Sequence, residues 1–288
     1  MNSPPINVIK ASGETVPFSK DKLKASLERS GAPVETISYI LKEIEQILYP
    51  SISTKEIYKT AFSLLHKISR FNAAKYKLKK AIMELGPTGY PFEKFIGEIL
   101  KNQGYDVNVN VMVKGHCVTH EVDVVAQKDE KHFMIECKYH SSFSTKCNVK
   151  IPLYIQSRFL DIQKEWVNKN KHQHNFHQGW VVNNTRYSED AIQYGNCAGL
   201  KLLSWDYPKK GSLKEQISVS GLYPITCLTS LKKSEKKFLL EQNIVLCKQL
   251  CNNPTILNQI IPNENRIKKI LSDANELCKD RWDGIEQV

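Results

Sequence analysis

Apolar residues recur three and four positions apart through most of the first 85 residues: Leu23 and Leu27, then Val34, Ile37, Leu41, Ile44 and Leu48, then Ile57, Ala61, Leu64, Leu65 and Ile68, then Ala74, Leu78, Ala81 and Ile82. Residues one helical turn apart share a face, so this spacing predicts four amphipathic helices. Ser19 can cap the first and Gly31 end it, and Ser53 with Glu56 forms a capping box ahead of the third. Before them, INVIK (6–10), a Ser-Gly turn at Ser12 and Gly13, and TVPF (15–18) predict a small hairpin.

The pattern changes at ELGPTGYP (84–91), where two glycines and two prolines interrupt it. PFEKFIGEILKNQGYDV (91–107) predicts a helix with Phe92, Ile96, Ile99 and Leu100 on one face, ended by Gly104. VTHEVDVVAQ (118–127), the turn KDEK (128–131) and HFMIECKYH (132–140) then predict two strands. Alternation sends Met134, Glu136 and Lys138 to one face of the second strand and Phe133, Ile135 and Cys137 to the other. Glu136 and Lys138 on a buried face would be costly unless paired. YPKKGSLKEQISVSGLYP (207–224) loses periodicity, and beyond it 228–244, 245–253, 256–261 and 265–278 read as helices. The expected fold is therefore multi-domain α/β: a helical unit with a β-hairpin (1–86), a central α/β unit (87–220) and an all-α unit (221–288).

Composition narrows the class without deciding function. A chain that is 41% hydrophobic and 25% charged, with no apolar run near the ~18 residues a membrane span needs, is expected to be globular. MNSPPINVIK offers no apolar stretch for a signal peptide, and the eight cysteines show no CxxC pair, so we expect a cytoplasmic protein with reduced, mostly buried thiols and no membrane partner. The net charge of +11 is densest at 67–80, where Lys67, Arg70, Lys75, Lys77, Lys79 and Lys80 meet no acid. Such a stripe favours a polyanion such as nucleic acid or nucleotide phosphate, although a solvated helix face is the commoner meaning of a charge run.

No GxxxxGK[ST] is present, so a Walker-type phosphate loop is excluded. Lys10 at a strand end and Lys22 in a first helical turn could meet over a triphosphate beside free helix amides, or could both be solvated. V-I-K with a turn glycine (8–13), F-S-K-D-K-L (18–23), I-S-T-K-E-I (52–57) and A-K-Y-K-L (74–78) resemble the ATP-cone, the nucleotide-sensing module of ribonucleotide reductases and of the repressor of their genes. The resemblance covers nearly all of residues 5–85. It implies nucleotide contacts at Val8, Lys10, Ser19, Lys22 and Thr54, with ATP or dATP as an allosteric ligand, and a homo-oligomer whose assembly the nucleotide sets. Val16 stands where many members carry an acid.

In the central unit, an acid ahead of a hairpin followed by acid-any-lysine on the returning strand is what a metal-dependent phosphodiesterase needs. Asp123 and Glu136 supply hard oxygen ligands for Mg²⁺ or Mn²⁺, and Lys138 can orient water and stabilise charge on phosphorus. Glu93 lies beside the apolar stripe of its helix, where its carboxylate can face the sheet; Glu98 is about 140° further round. A surface salt-bridge cluster, or a nuclease fold without activity, would use the same residues. G-Y-P-F-E-K-F (89–95), G-Y-D-V (104–107), H-E-V-D-V-V-A (120–126) and E-C-K-Y (136–139), with G-W-V-V-N-N (179–184), Y-S-E-D-A-I (187–192) and L-K-L-L-S-W-D (200–206), resemble the Mrr-type restriction endonucleases of the PD-(D/E)xK superfamily. That implies a mixed sheet flanked by helices over about 89–206, with Glu93, Asp123, Glu136 and Lys138 catalytic.

Gln156 could reach DNA or the metal shell, or cap a helix. His172, His174 and His177 read as solvated rather than as a zinc site. The last unit is similar to a helix-hairpin-helix array without its turn glycine, and Lys232, Lys233, Lys236 and Lys237 could grip DNA phosphates; a plain packing domain fits as well. The expected activity is nucleotide-regulated, metal-dependent DNA cleavage, in restriction, defence or repair. A DNA-binding regulator with an inactive nuclease fold and an RNA-processing nuclease are the alternatives.

Overall fold

The computed structural model describes residues 6–169 and 176–279; His172 and His174 lie outside them. In the N-terminal part β1 (Asn7–Ile9) and β2 (Thr15–Pro17) form the expected hairpin, closed through Gly13 at φ +83°, a left-handed conformation that glycine adopts freely. α1 (Lys20–Arg29) is capped by Ser19, whose Oγ accepts the Lys22 N–H, and is followed by α2 (Val34–Ile47). A two-residue strand too short to show a pattern, β3 (Ile52–Ser53), pairs parallel to β1, and α3 (Thr54–Ile68) begins under the Ser53 cap. The fourth predicted helix is two, α4 (Arg70–Tyr76) and α5 (Leu78–Met83), broken at Lys77. Ala74, Leu78, Ala81 and Ile82 are buried as their spacing requires.

The central part runs α6 (Tyr90–Asn102), β4 (Asp106–Lys114), β5 (Thr119–Lys128), β6 (Lys131–Lys138), β7 (Lys146–Cys147), α7 (Lys150–Lys169), β8 (Phe176–Asn183), β9 (Arg186–Tyr187), α8 (Glu189–Cys197), β10 (Lys201–Leu203) and α9 (Leu213–Ser220). Five strands form a mixed sheet in the order β10-β8-β6-β5-β4, the first three parallel and the rest antiparallel. The turn between β5 and β6 places Asp129 at φ +50° and Glu130 at φ +62°, the pair of left-handed residues that a tight hairpin uses. Ile155 and Ile162 of α7 and Ala191 of α8 pack with Met134 and Val181 on one side of the sheet, while Phe92, Phe95 and Ile99 of α6 pack with Ile135 and Cys137 on the other. α9 lies in a stretch expected to be irregular. With only Leu213 and Ile217 facing the core, its pattern is too brief to read.

Beyond it, 3₁₀ turns at Ile225–Cys227 and Pro254–Gln259 accompany α10 (Lys233–Glu241), α11 (Cys247–Asn252) and α12 (Glu264–Lys279). Among the described residues this all-α part has no separate core. One apolar cluster runs from Leu78, Ile82 and Leu85 through Phe95 and Ile135 to Leu213, Tyr223, Leu239, Leu257 and Ile270. A bidentate Arg266–Glu235 pair, at 2.5 and 2.7 Å, secures α12 to α10 and neutralises a carboxylate that would otherwise be buried alone. All eight cysteines are free; four are buried and Cys117 and Cys197 are exposed, so the thiols are less uniformly internal than expected. No helix among the described residues is long and apolar enough to cross a membrane.

Candidate active site

The site forms where the sheet opens. β5 and β6 pair from Lys128–Lys131 up to Val124–Ile135, and the ladder stops one pair short of Asp123 and Glu136. On the outer side, β4 pairs Val109 with Val124 and Val111 with Val122, skipping Asn110, which sits at φ +58° opposite Asp123. The alternation of β5 slips there: Val122 and Val125 pack with the α7-side core, whereas Val124 and Ala126 pack with the α6-side core. The register is the same on both sides of the unpaired Asn110 and Asp123, so this is a local break in the pleat shared by the two strands rather than an inserted residue. Asp123 Oδ2 accepts the Cys137 N–H at 2.7 Å beyond the end of the ladder, while Oδ1 has no partner among the described residues.

Glu136 sits on β6 at 4% exposure, with Lys138 Nζ 2.6 Å from its Oε1 and Arg158 Nη1 2.5 Å from its Oε2. This is the pairing that a buried carboxylate requires. Glu93 enters from the first turn of α6, on the opposite side of the sheet from α7. Its Oε1 lies so close to Gly89 that a Cβ there would approach to 2.9 Å. Burial, then the charges of Asp123 and Glu136, push Glu93 up to about 7. Burial and Glu136 push Asp123 up to about 6 against the pull of the Cys137 amide and Lys138. For Lys138, burial opposes the charged form, but the hydrogen bond and charge of Glu136 outweigh it and its pKa is raised. Glu98 turns away and pairs with Lys101 at 2.8 Å.

Carboxylates held above their ordinary range mark a concentration of negative charge that a cation would relieve. Among the described residues no three His, Cys, Asp or Glu side chains are poised as a metal cage. Two carboxylates nevertheless suit Mg²⁺, which is held by one or two of them and completes its shell with water and phosphate. Asp123 and Glu136 are the residues that would hold it.

Two features of the site escaped the sequence reading. Arg158 stands on the apolar stripe of α7 with Ile151, Ile155 and Ile162, at helical spacing, and an arginine in such a stripe must find a carboxylate; that signal was readable. Tyr139, next to Lys138, donates its O–H to the Met83 carbonyl at 2.6 Å and accepts the Gly86 N–H at 3.0 Å, clasping the end of α5 and the connection to α6. A Cβ on Gly86 would lie 2.6 Å from that hydroxyl. Gln156 lies within α7 rather than at its end, and its Oε1 is buried without a partner among the described residues. His177 Nδ1 accepts the His132 N–H at 3.1 Å, so this histidine is partly engaged within the sheet.

The remaining predicted residues are distributed as follows. Lys10 follows β1 and pairs with Glu14 at 2.9 Å, and the β1–β3 register sets it beside Thr54, the first residue of α3. Ser19 and exposed Lys22 form the start of α1. Val8 is buried in the N-terminal core, so only its main chain can meet a ligand. Lys232, Lys233 and Lys237 are exposed, but Lys236 is not a DNA contact: it is buried, donates to the Thr226 carbonyl at 2.9 Å and lies 3.8 Å from Glu84. Burial, then Lys77, push it down to about 7. The 67–80 stripe is likewise no continuous cationic face. Lys77 is buried against Glu84 at 2.7 Å, and Lys79 lies 5.8 Å from the ring centroids of both Phe143 and Trp205.

Comparison with known proteins agrees with this layout. A model of the ATP cone domain matches residues 6–82, a restriction endonuclease model matches 86–153, and the AF1548-like C-terminal model matches 223–278. An uncharacterized protein of Archaeoglobus fulgidus is 32% identical over 183 residues, covering 63% of this chain and 99% of its own. A crystal structure titled as a protein of unknown function, AF1548, is 30% identical with a TM-score of 0.55, covering 67% of this chain and 99% of that one. With nearly the whole of such a relative matched and its C-terminal signature present, the chain belongs to the AF1548-like family, and carries an ATP cone ahead of its restriction endonuclease domain.

Proposed function

We propose that this protein is a nucleotide-regulated, metal-dependent DNA endonuclease. The observation that carries the reading is the meeting of Asp123, Glu136 and Lys138 where β5 and β6 part, with one Asp123 oxygen free and a lysine on the rim. Asp123 and Glu136 would hold Mg²⁺, which supplies Lewis-acid stabilisation of a phosphate and acidifies bound water. Lys138, about a third exposed, can turn from Glu136 to a phosphate oxygen or to the attacking water, and Glu93, with its pKa near neutrality, can take up a proton. Lys10, Lys22, Ser19, Thr54 and the main chain of Val8 would receive ATP or dATP, and Lys232, Lys233 and Lys237 would meet DNA phosphates. Self-association set by the nucleotide is the expected route of control.

The test is cleavage of matched duplex DNA and RNA with and without Mg²⁺. Cleavage of DNA that a chelator abolishes supports the reading; binding without cleavage would indicate the inactive fold, and preference for RNA an RNA-processing enzyme. The pH dependence has a definite sign. Asp123 and Glu93 keep protons that the unfolded chain has already lost, so in metal-free protein stability falls as pH rises from the ordinary carboxylate range to about 6 and about 7. A cation competes with those protons, so Mg²⁺ should raise Tm more at pH 8 than at pH 5, and cleavage should fall away below about pH 6. Equal Tm gains at both values would contradict the carboxylate assignment.

A further inference from the structure

Arg158 occupies the gap between the parting strands. Its Nη1 donates to Glu136 Oε2 on β6, and its Nη2 donates to the main-chain carbonyl of Glu121 on β5, two residues ahead of Asp123. Beyond Val124–Ile135 the two strands have no ladder pairs; β5 stays with β4, and β6 stays with β8 as far as Lys138–Asn183. Across the gap, then, run the Asp123 carboxylate bonded to the Cys137 amide and the Arg158 fork. The guanidinium approaches from α7, with only a tenth of its side chain exposed, and stands 5.4 Å from the centre of the Tyr154 ring.

We propose that Arg158 is the positioning residue of this centre. It straps the opened strands so that Asp123 and Glu136 keep their spacing, and it occupies Oε2 of Glu136 so that Oε1 is the oxygen presented to a divalent cation. The two cations on Glu136 differ in this respect. Lys138 is 30% exposed and can exchange Glu136 for a phosphate or water, whereas Arg158 could leave only by stranding a buried guanidinium. Two acceptors on two strands also need a planar fork with separated donors, which a lysine ammonium cannot supply. The inference rests on reading Asp123, Glu136 and Lys138 as a hydrolytic centre.

The test compares wild type with Arg158→Lys in the full chain, measuring Mn²⁺ affinity by calorimetry, DNA cleavage and the metal-free Tm. We expect Mn²⁺ affinity and the cleavage rate to fall about tenfold or more, as for partners that orient metal ligands. A role confined to packing would lower Tm and leave the affinity and rate of the folded protein unchanged. Arg158→Gln, which keeps one donation, is read in the same way where Arg158→Lys is not folded. Wild type that binds Mn²⁺ while a folded variant matches it within twofold in affinity and rate would overturn the strap alone. Wild type with neither Mn²⁺ binding nor cleavage would overturn the hydrolytic reading, and the strap with it.

Discussion

Replacing Lys138 with Ala is expected to lower phosphodiester cleavage by about 100-fold or more while leaving the fold intact. The lysine is partly exposed, and without it Glu136 still has Arg158, so no buried charge is left alone. Glu136 is a different case. Truncation to Ala would strand the Arg158 guanidinium in a site where it is 9% exposed, and breaking such a buried pair costs about 3–5 kcal/mol, enough to confuse lost chemistry with lost structure. Glu136→Gln keeps the shape and an acceptor for Arg158 but removes the charge, and should lose about 100-fold or more in rate with a modest fall in Tm. Steady-state nicking rates beside thermal melts check both. Cleavage by folded Lys138→Ala or Glu136→Gln at the wild-type rate would sink the assignment.

A chain ending at Ser220 is expected not to fold its central part. The seam near 220 reads in the sequence as a place to cut, but the core runs across it. Removing residues 221–288 takes away Tyr223, Ile225, Leu228, Leu239, Leu246 and Leu257, and uncovers Leu213, Ile217 and their neighbours. Full burial of each large apolar side chain contributes about 1.5–3 kcal/mol, so the loss is comparable with the roughly 5–15 kcal/mol that separates a folded protein from its unfolded state. Circular dichroism and thermal unfolding should show that the transition of the part built on the shared core is lost, the separate N-terminal core of Val8 to Ala73 being untouched by the cut. A melt like that of the full chain would mean that the shared core is dispensable. The C-terminal share in DNA binding is therefore better measured with Lys232, Lys233 and Lys237 changed together, Lys236 being internal.

What the sequence disclosed follows the reach of its periodicities. α6, the β5–β6 hairpin and the opposite placement of Glu136 and Cys137 are local patterns, and all were legible. The break in alternation at Asp123 was not, because it arises where β4 passes it with Asn110 in a left-handed conformation, a pairing between strands rather than a local pattern. Lys77 and Lys236 read as surface charge because nothing in the sequence shows that the two meet at the Thr226 carbonyl, 149 residues from Lys77, and beside Glu84, far in sequence from Lys236. α9 was missed because two apolar residues do not make a period.

A short path joins the ATP cone to the proposed cleavage centre. Tyr139 clasps Met83 and Gly86 beside Lys138, and Glu93 begins the helix that follows. A ligand shifts such an equilibrium only by its difference in affinity for the two arrangements. The direct measurement is the initial rate at which the full chain nicks supercoiled plasmid in Mg²⁺ alone, with ATP and with dATP, beside a Lys10→Ala/Lys22→Ala variant. At least one nucleotide is expected to change the wild-type rate several-fold, while the variant keeps the nucleotide-free rate and does not respond. A wild-type rate indifferent to both nucleotides, or a response undiminished in the variant, would rule out nucleotide control of cleavage through Lys10 and Lys22.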